Sequence, residues 1–317
     1  SDINQCRVHR GYHYPRSNST VKEVLHANIS FTEEFGEAIM NNTENYYCIS
    51  KKDSLISGDQ FTKFCNENNL EYEFSTPSII NKDSIELCVK VKENLFDHSK
   101  LKKICWNKLK ESNVNVNLNT EVTDEIFQKY DFIIICTYGQ TRNLLKEFPN
   151  IQKEYQYEVC EKIFVRLPPA FKNTSVLVMD GPFMGIDPIG DTGMFIIGDV
   201  IHTVIQRSVG KYPIIDQEYL PLLNKGIINN PPVSKFKQFI ESGIRFMPEL
   251  KNATYVGSSF CIKATLPNVD KTDERHTLID EINHKVVTVF SGKIPTCVEA
   301  AKKIEKMLIN IEKEKTK

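Results

Sequence analysis

Apolar and polar positions alternate along this chain with two periods, and the period changes several times. Thr20 to Met40 repeats at helical spacing, with a second helix start near Thr32-Glu33-Glu34. Asn45 to Ser50 (NYYCIS) has strand composition. Ser57 to Asn68 predicts a helix with Phe61, Phe64 and Cys65 on one side, and Ile85 to Val91 alternates as a strand. Asp97 is placed to cap a helix running to about Ser112, with Leu101, Ile104, Cys105 and Leu109 as its apolar stripe. Val114 to Leu118 (VNVNL) alternates as a strand. Phe132 to Cys136 predicts a buried strand that ends at a glycine turn.

From Tyr155 to Ile201 the pattern is β, in strand-like runs separated by turns, of which Asp187 to Gly193 (DPIGDTG) has the clearest turn chemistry. Pro232 to Glu241 predicts a short helix, Ala253 to Lys263 a strand, and Lys285 to Phe290 a final buried strand. An amphipathic helix follows from about Pro295 to Glu312, and Glu312 to Lys317 is a charged tail expected to fray. Helix, strand and glycine turn in this order point to a mixed α/β fold. Its α/β pieces interleave with a mainly β region.

Composition narrows the function classes. The 317 residues are 40% hydrophobic and 26% charged with a net charge of -1, which fits one large or two intertwined globular domains. A near-neutral chain has no global attraction for nucleic acid, so no nucleic-acid partner is expected. The nine cysteines form no CxxC pair, and several sit in apolar runs (Cys88, Cys136). That usage predicts reduced thiols in a cytoplasmic protein. No apolar run approaches the length of a spanning helix.

The densest chemistry is CRVHRGYHYPRS, Cys6 to Ser17, with three arginines, two histidines and two tyrosines. Cys6, His9 and His13 have the spacing of zinc ligands, but no second ligand pair stands nearby, and metal is not expected. Basic residues interleaved with Tyr12 and Tyr14 also suit stacking on nucleic acid. A second candidate is Val289 to Ile304 (VFSGKIPTCVEAAKKI). A buried strand ends in Ser291-Gly292, and a helix starts at Pro295-Thr296. Glycine admits a ligand close to the backbone, and the free N–H groups of a helix start favour electron-rich oxygens.

This second segment resembles the C-terminal flavin-binding segment of the D-amino-acid-oxidase-like FAD-dependent oxidoreductases. TEVTDEI (Thr120 to Ile126) is similar to that family's adenine-contacting strand, which implies a role for Val122. YDFIIICTYGQTRNLL resembles the strand that ends beside the dinucleotide. GPFMGIDPIGDTGMFIIGDVIHT resembles the substrate-domain hairpins, and KTDERHTLID the stretch before the last strand. HRGYHY is similar to the H-G-G-x-R-Y stretch of flavin-linked glycerol-3-phosphate dehydrogenases, with His13 in place of the arginine.

The resemblance implies an FAD/NAD(P)-binding Rossmann-like fold interleaved with an antiparallel substrate domain. The FAD-binding domain would comprise 1–40, 92–150 and 275–317, and the substrate domain 41–91 and 151–274. It places Asn4, Gln5, Arg7, His9, Gly11, His13 and Tyr14 near the flavin ring. His9, His13 and Tyr14 would be catalytic. Arg7, Gly11, Val122, Thr137, Gly139, Gly292, Lys293, Ile294 and Thr296 would hold FAD, and Lys263 the substrate. The expected activity is oxidation of a C–N or C–O bond in a small amine, amino acid or hydroxy acid, with the electron acceptor open. The family pattern also has a GxGxxG unit, which occurs nowhere in this sequence. About 35 residues of that pattern, one βαβ unit, would precede Ser1. The expectation is that the 317 residues alone bind FAD poorly or are unstable. The rival expectation is a non-catalytic binding or assembly protein on the same fold.

Overall fold

The computed structural model describes residues 4–145, 148, 153–268, 276–291 and 293–315. Its first half runs β1 (Arg7–Val8), α1 (Asn18–Phe35), β2 (Ile39–Met40), β3 (Glu44–Ser50), α2 (Gly58–Glu67), β4 (Tyr72–Phe74), β5 (Ile85–Val91), β6 (Asn94–Phe96), α3 (His98–Glu111), α4 (Ile126–Lys129) and β7 (Ile133–Ile135). The second half runs β8 (Tyr155–Arg166), β9 (Thr174–Met179), β10 (Met184–Pro188), β11 (Phe195–Asp199), β12 (Val204–Gly210), α5 (Phe236–Gly243), β13 (Thr254–Thr265), β14 (Leu278–Asn283), β15 (Val286–Phe290) and α6 (Cys297–Lys315).

Local chemistry sets several of these boundaries. Ser57 and Gln60 form a reciprocal capping box at the start of α2, so two otherwise unpaired donors are satisfied. The Asp97 carboxylate accepts from the N–H groups of Ser99 and Lys100 and starts α3. Helix α1 runs unbroken through Thr32-Glu33-Glu34, so the expected second start is absent.

Nine strands form one large sheet in the order β12-β8-β11-β10-β9-β3-β5-β4, with β13 also pairing β8. All pairs are antiparallel except β3 with β9, where Tyr46 lies beside Val176. Core packs on both faces of this sheet: Tyr47, Ile49, Val89 and Leu177 face Val21, Phe61 and Phe64 of α1 and α2, and a larger cluster lies on the other face. There Ile163, Val165, Val176, Ile186 and Ile197 pack against Phe239 and Phe246 from α5 and the turn after it. A second sheet, β14-β15-β7, contains the parallel pair β15 and β7. A third joins β1, β6 and β2. Tyr138, just past β7, ties the second sheet to the first. Its hydroxyl donates to Ala264 O at 2.8 Å and accepts from Ala264 N at 3.1 Å, and its ring stacks on Phe290.

Three expectations are corrected. Val114 to Leu118 forms no strand, and Val114, Val116 and Leu118 are exposed. Alternation alone does not make a strand, since no described neighbour pairs with this stretch. Strand β7 is not buried on both faces, because Ile134 is 44% exposed. The terminal helix continues to Lys315 instead of fraying at Glu312. No described helix is long and apolar enough to cross a membrane.

Candidate active site

The opening segment folds against the centre of the molecule. Strand β1 pairs antiparallel with β6, Arg7 opposite Leu95 and Val8 opposite Asn94. Asn28 of α1 donates to the carbonyls of Val8 and His9 at 3.1 and 3.3 Å and pins this strand from the other side. The chain then turns at Gly11, and Tyr14 N donates to Gly11 O at 3.0 Å. Gly11 has a φ of +105°, and a Cβ there would lie 2.9 Å from Val21 Cγ1. Gly11→Ala is therefore expected to destabilise the chain by about 1–3 kcal/mol in urea unfolding. Adding Val21→Ala should recover the steric part only.

Beneath the turn lies a buried charge network. Arg7 Nη2 donates to Asp187 Oδ1 and to Ser175 Oγ, both at 2.7 Å, and Nη1 lies 3.3 Å from Glu93 Oε1. Tyr47 OH donates to Glu93 Oε1 at 2.7 Å, and Arg10 N to Glu93 Oε2 at 2.9 Å. His9 Nδ1 stands 3.5 Å from Glu93 Oε1, an ion-pair contact that is long for a hydrogen bond. Burial by itself would raise the Glu93 carboxyl, but His9, Arg7 and the Arg10 N–H outweigh it and hold the group at about 2. For Asp187 burial wins over Arg7 and Ser175, and its carboxyl is raised. Burial opposes the Arg7 charge, yet the carboxylates raise its pKa above the ordinary value.

Above the network His9, His13 and Tyr14 form an aromatic cluster, with ring centres 5.0 to 5.6 Å apart. Lys293 reaches this cluster from the other end of the chain. Its Nζ sits 4.4 Å from the centre of the Tyr14 ring, and the residue is only 7% exposed. Lys293 and Ile294 also line a cleft of about 740 Å³ between the β7–β15 pair and α6. Asn4, Cys136 and Ser291 stand in its wall with them, and Ile134, Val289, Ala300, Ala301 and Ile304 make much of the rest apolar. A second hollow, of about 650 Å³, lies at Cys65–Phe74, and none of the expected site residues lines it.

No family model matches the chain. Among curated proteins it is similar to the FAD-dependent monooxygenase FPY4 of Fusarium mangiferae, 22% identical over 312 residues and covering 96% of this chain and 79% of that protein. Among solved structures it is similar to the L-α-glycerophosphate oxidase of Mycoplasma pneumoniae with FAD bound, at a TM-score of 0.68 and 12% identity, covering 98% of this chain and 84% of that one. Glycine oxidase from Geobacillus kaustophilus follows at 0.67 and 11%, covering 92% and 79%. The chain has the fold of the D-amino-acid-oxidase-like FAD oxidoreductases. That fold gives the cleft a ligand class to be tested against. The volume is in the range of cofactor sites, and the wall combines apolar and small side chains with one buried cation. These residues fit the flavin end of FAD. Among the described residues no glycine-rich loop supplies a pyrophosphate cradle.

The other expected site residues lie elsewhere on this FAD-oxidoreductase fold. Val122 is 42% exposed in the irregular stretch before α4. Thr137 is exposed and 3.4 Å from Thr141 Oγ1, while Gly139 is buried against Ile262 of β13. Thr296 is buried inside its own turn, donating to Lys293 O at 2.8 Å and meeting Ser291 Oγ at 2.8 Å. Lys263 Nζ pairs with Glu158 Oε2 at 2.8 Å, and Arg207 holds the other oxygen of that carboxylate at 2.9 Å. Gly292, and Lys271 to Arg275 of the KTDERHTLID stretch, lie outside the described residues. Among the described residues no three His, Cys, Asp or Glu side chains group closely enough to hold a metal ion. Sequence reasoning missed Cys136, Ser291 and Cys297 in the cleft wall. The adjacent Ala300-Ala301 on α6 was the available signal, since small residues leave room beside a helix.

Proposed function

We propose that this chain is an FAD-dependent oxidoreductase acting on a small molecule at a C–N or C–O bond. One observation carries the reading. On an FAD-oxidoreductase fold, the Lys293–Ile294 corner, Ser291 at the end of β15 and Asn4 of the opening segment all meet on one cleft. When bound there, the flavin supplies the two-electron acceptor that no side chain offers. The chain's own residues do the rest. Lys293 keeps a positive charge beside the cleft, and the start of α6 adds its helix dipole, so both favour an electron-rich edge. Ile134, Val289 and Ile304 keep one wall dry. His9 takes a proton from the substrate heteroatom, while His13 and Tyr14 orient the substrate. Lys263, backed by Glu158, offers a cation to an anionic substrate group.

Cysteine reactivity tests the site without relying on turnover. Cys136 and Cys297 line the cleft, and Cys261 does not. Saturating FAD is expected to slow alkylation of Cys136 and Cys297 by at least about tenfold while leaving Cys261 unchanged, read by peptide mass mapping. Equal rates at Cys136 and Cys297 with FAD demonstrably bound would remove the cofactor from this cleft. A second reading, a non-catalytic binding or assembly protein, draws on the lack of GxGxxG in the sequence. Failure of the full-length gene product to bind any FAD would decide for it.

A further inference from the structure

His9 meets Glu93 along one edge of its ring. Nδ1 is buried without a partner at hydrogen-bond distance and lies 3.5 Å from Glu93 Oε1. The side chain keeps 18% exposure, and Nε2 is its other ring nitrogen. Glu93 cannot swing away, because Tyr47, Arg7 and the Arg10 N–H hold both of its oxygens. We infer that Glu93 is a positioning residue that keeps a proton on His9 Nδ1 and leaves Nε2 as the atom that takes the substrate proton. This inference rests on the functional reading above. In the step, the Nε2 lone pair forms an N–H bond as the substrate N–H or O–H bond breaks. The electron pair of that bond stays on the substrate heteroatom.

The electrostatics of the buried cluster favour this division of labour. Arg7 supplies one positive charge against the carboxylates of Asp187 and Glu93. A proton gained at His9 completes the balance, so the imidazolium formed in the step is stabilised where it forms. The other titratable or charged groups around His9 are His13 and Tyr14 at ring-centre distances of 5.6 and 5.5 Å, Arg10 next in the chain, and Lys293 across the Tyr14 ring. None of these is placed against Nδ1 as Glu93 is. Asp187 reaches His9 only through Arg7 and Glu93.

The test is nitrogen-15 NMR of the full chain, with His9 assigned by the signals lost in His9→Asn. In the parent, Nδ1 should keep its proton throughout the titration and Nε2 should be the nitrogen that loses one. In Glu93→Gln that preference should be lost. Its kcat should fall about 10²-fold with KM changed less than about threefold, and the pH profile of kcat should shift. Asp187→Asn removes a carboxylate from the same cluster without touching His9, and it should leave the His9 tautomer as it is. A folded Glu93→Gln chain with an unchanged tautomer and pH profile would reduce Glu93 to a structural anchor. If that variant does not fold, the parent spectrum still decides, because a neutral His9 with its proton on Nε2 overturns the inference. Should the full-length gene product bind no FAD, the functional reading fails, while the tautomer measurement on His9 continues to judge Glu93.

Discussion

Arg7→Met is expected to unfold the chain at neutral pH, or to lower its unfolding free energy by about 3–5 kcal/mol. The substitution keeps much of the side-chain volume and removes the only guanidinium between Asp187 and Glu93. Both carboxylates are fully buried; Asp187 would lose the cation that opposes its burial, and Glu93 would keep His9 and the Arg10 N–H but lose Arg7. A loss of that size is a large fraction of what a domain this size has available. The pH dependence gives the test a sign. In the parent, Glu93 is held at about 2, below its unfolded value. It therefore contributes stability above the ordinary glutamate pKa, and that contribution is lost as pH falls toward 2. Asp187 is raised and acts in the opposite direction, favouring the fold as pH falls. Without Arg7 the Asp187 carboxyl is pushed further the same way, and Glu93 loses part of what holds it down. Urea midpoints measured from neutral pH down to mild acid should converge for parent and variant. A gap that stays constant over that range would mean that Arg7 acts by packing alone.

His9→Asn should lower turnover by about 10²–10⁴-fold, the usual worth of a general base. Its FAD affinity should change little, because His9 does not line the flavin cleft. The two effects separate in one preparation. A flavin titration reads binding, and steady-state rates against a panel of small amines, amino acids and hydroxy acids read turnover. Loss of FAD binding together with activity would instead make His9 part of the cofactor pocket. Full activity in the variant would leave the proton to His13 or to water.

Much of the fold can be read along the chain because local chemistry repeats what tertiary packing requires. Asp97 caps α3, Ser57 and Gln60 box α2, and the apolar run of β15 matches its near-continuous burial. Val114 to Leu118 shows where this stops. Its alternation equals that of a strand, but a strand also needs a neighbour at hydrogen-bonding distance, and no sequence period encodes one. The site divides in the same way. Lys293 and Ile294 were visible because a strand, a glycine turn and a helix start are local features. Glu93 was not. In KVKENLF a glutamate just after two lysines, between two strands, has the composition of a surface turn. Only the antiparallel pairing of β1 with β6 brings it under His9 and Arg7, from more than eighty residues away in the chain. Lys263 shows the same limit, since its charge is legible in the sequence but its Glu158 partner is set only by the register of β13 on β8.

The parallel pairing of β3 with β9 also dictates an order of events. Strand β5 is made soon after β3, with α2 and β4 between them, and can cover one of its edges. The other edge of β3 has to wait until β9 exists, because Tyr46 finds Val176 and no earlier residue. A chain emerging from its N-terminus thus carries an open, apolar strand edge through the synthesis of α3, β7 and β8. Closing so long a loop also makes the search slow. The central seam of the large sheet therefore cannot close until β9 is made, and until then its open edge needs protection from aggregation.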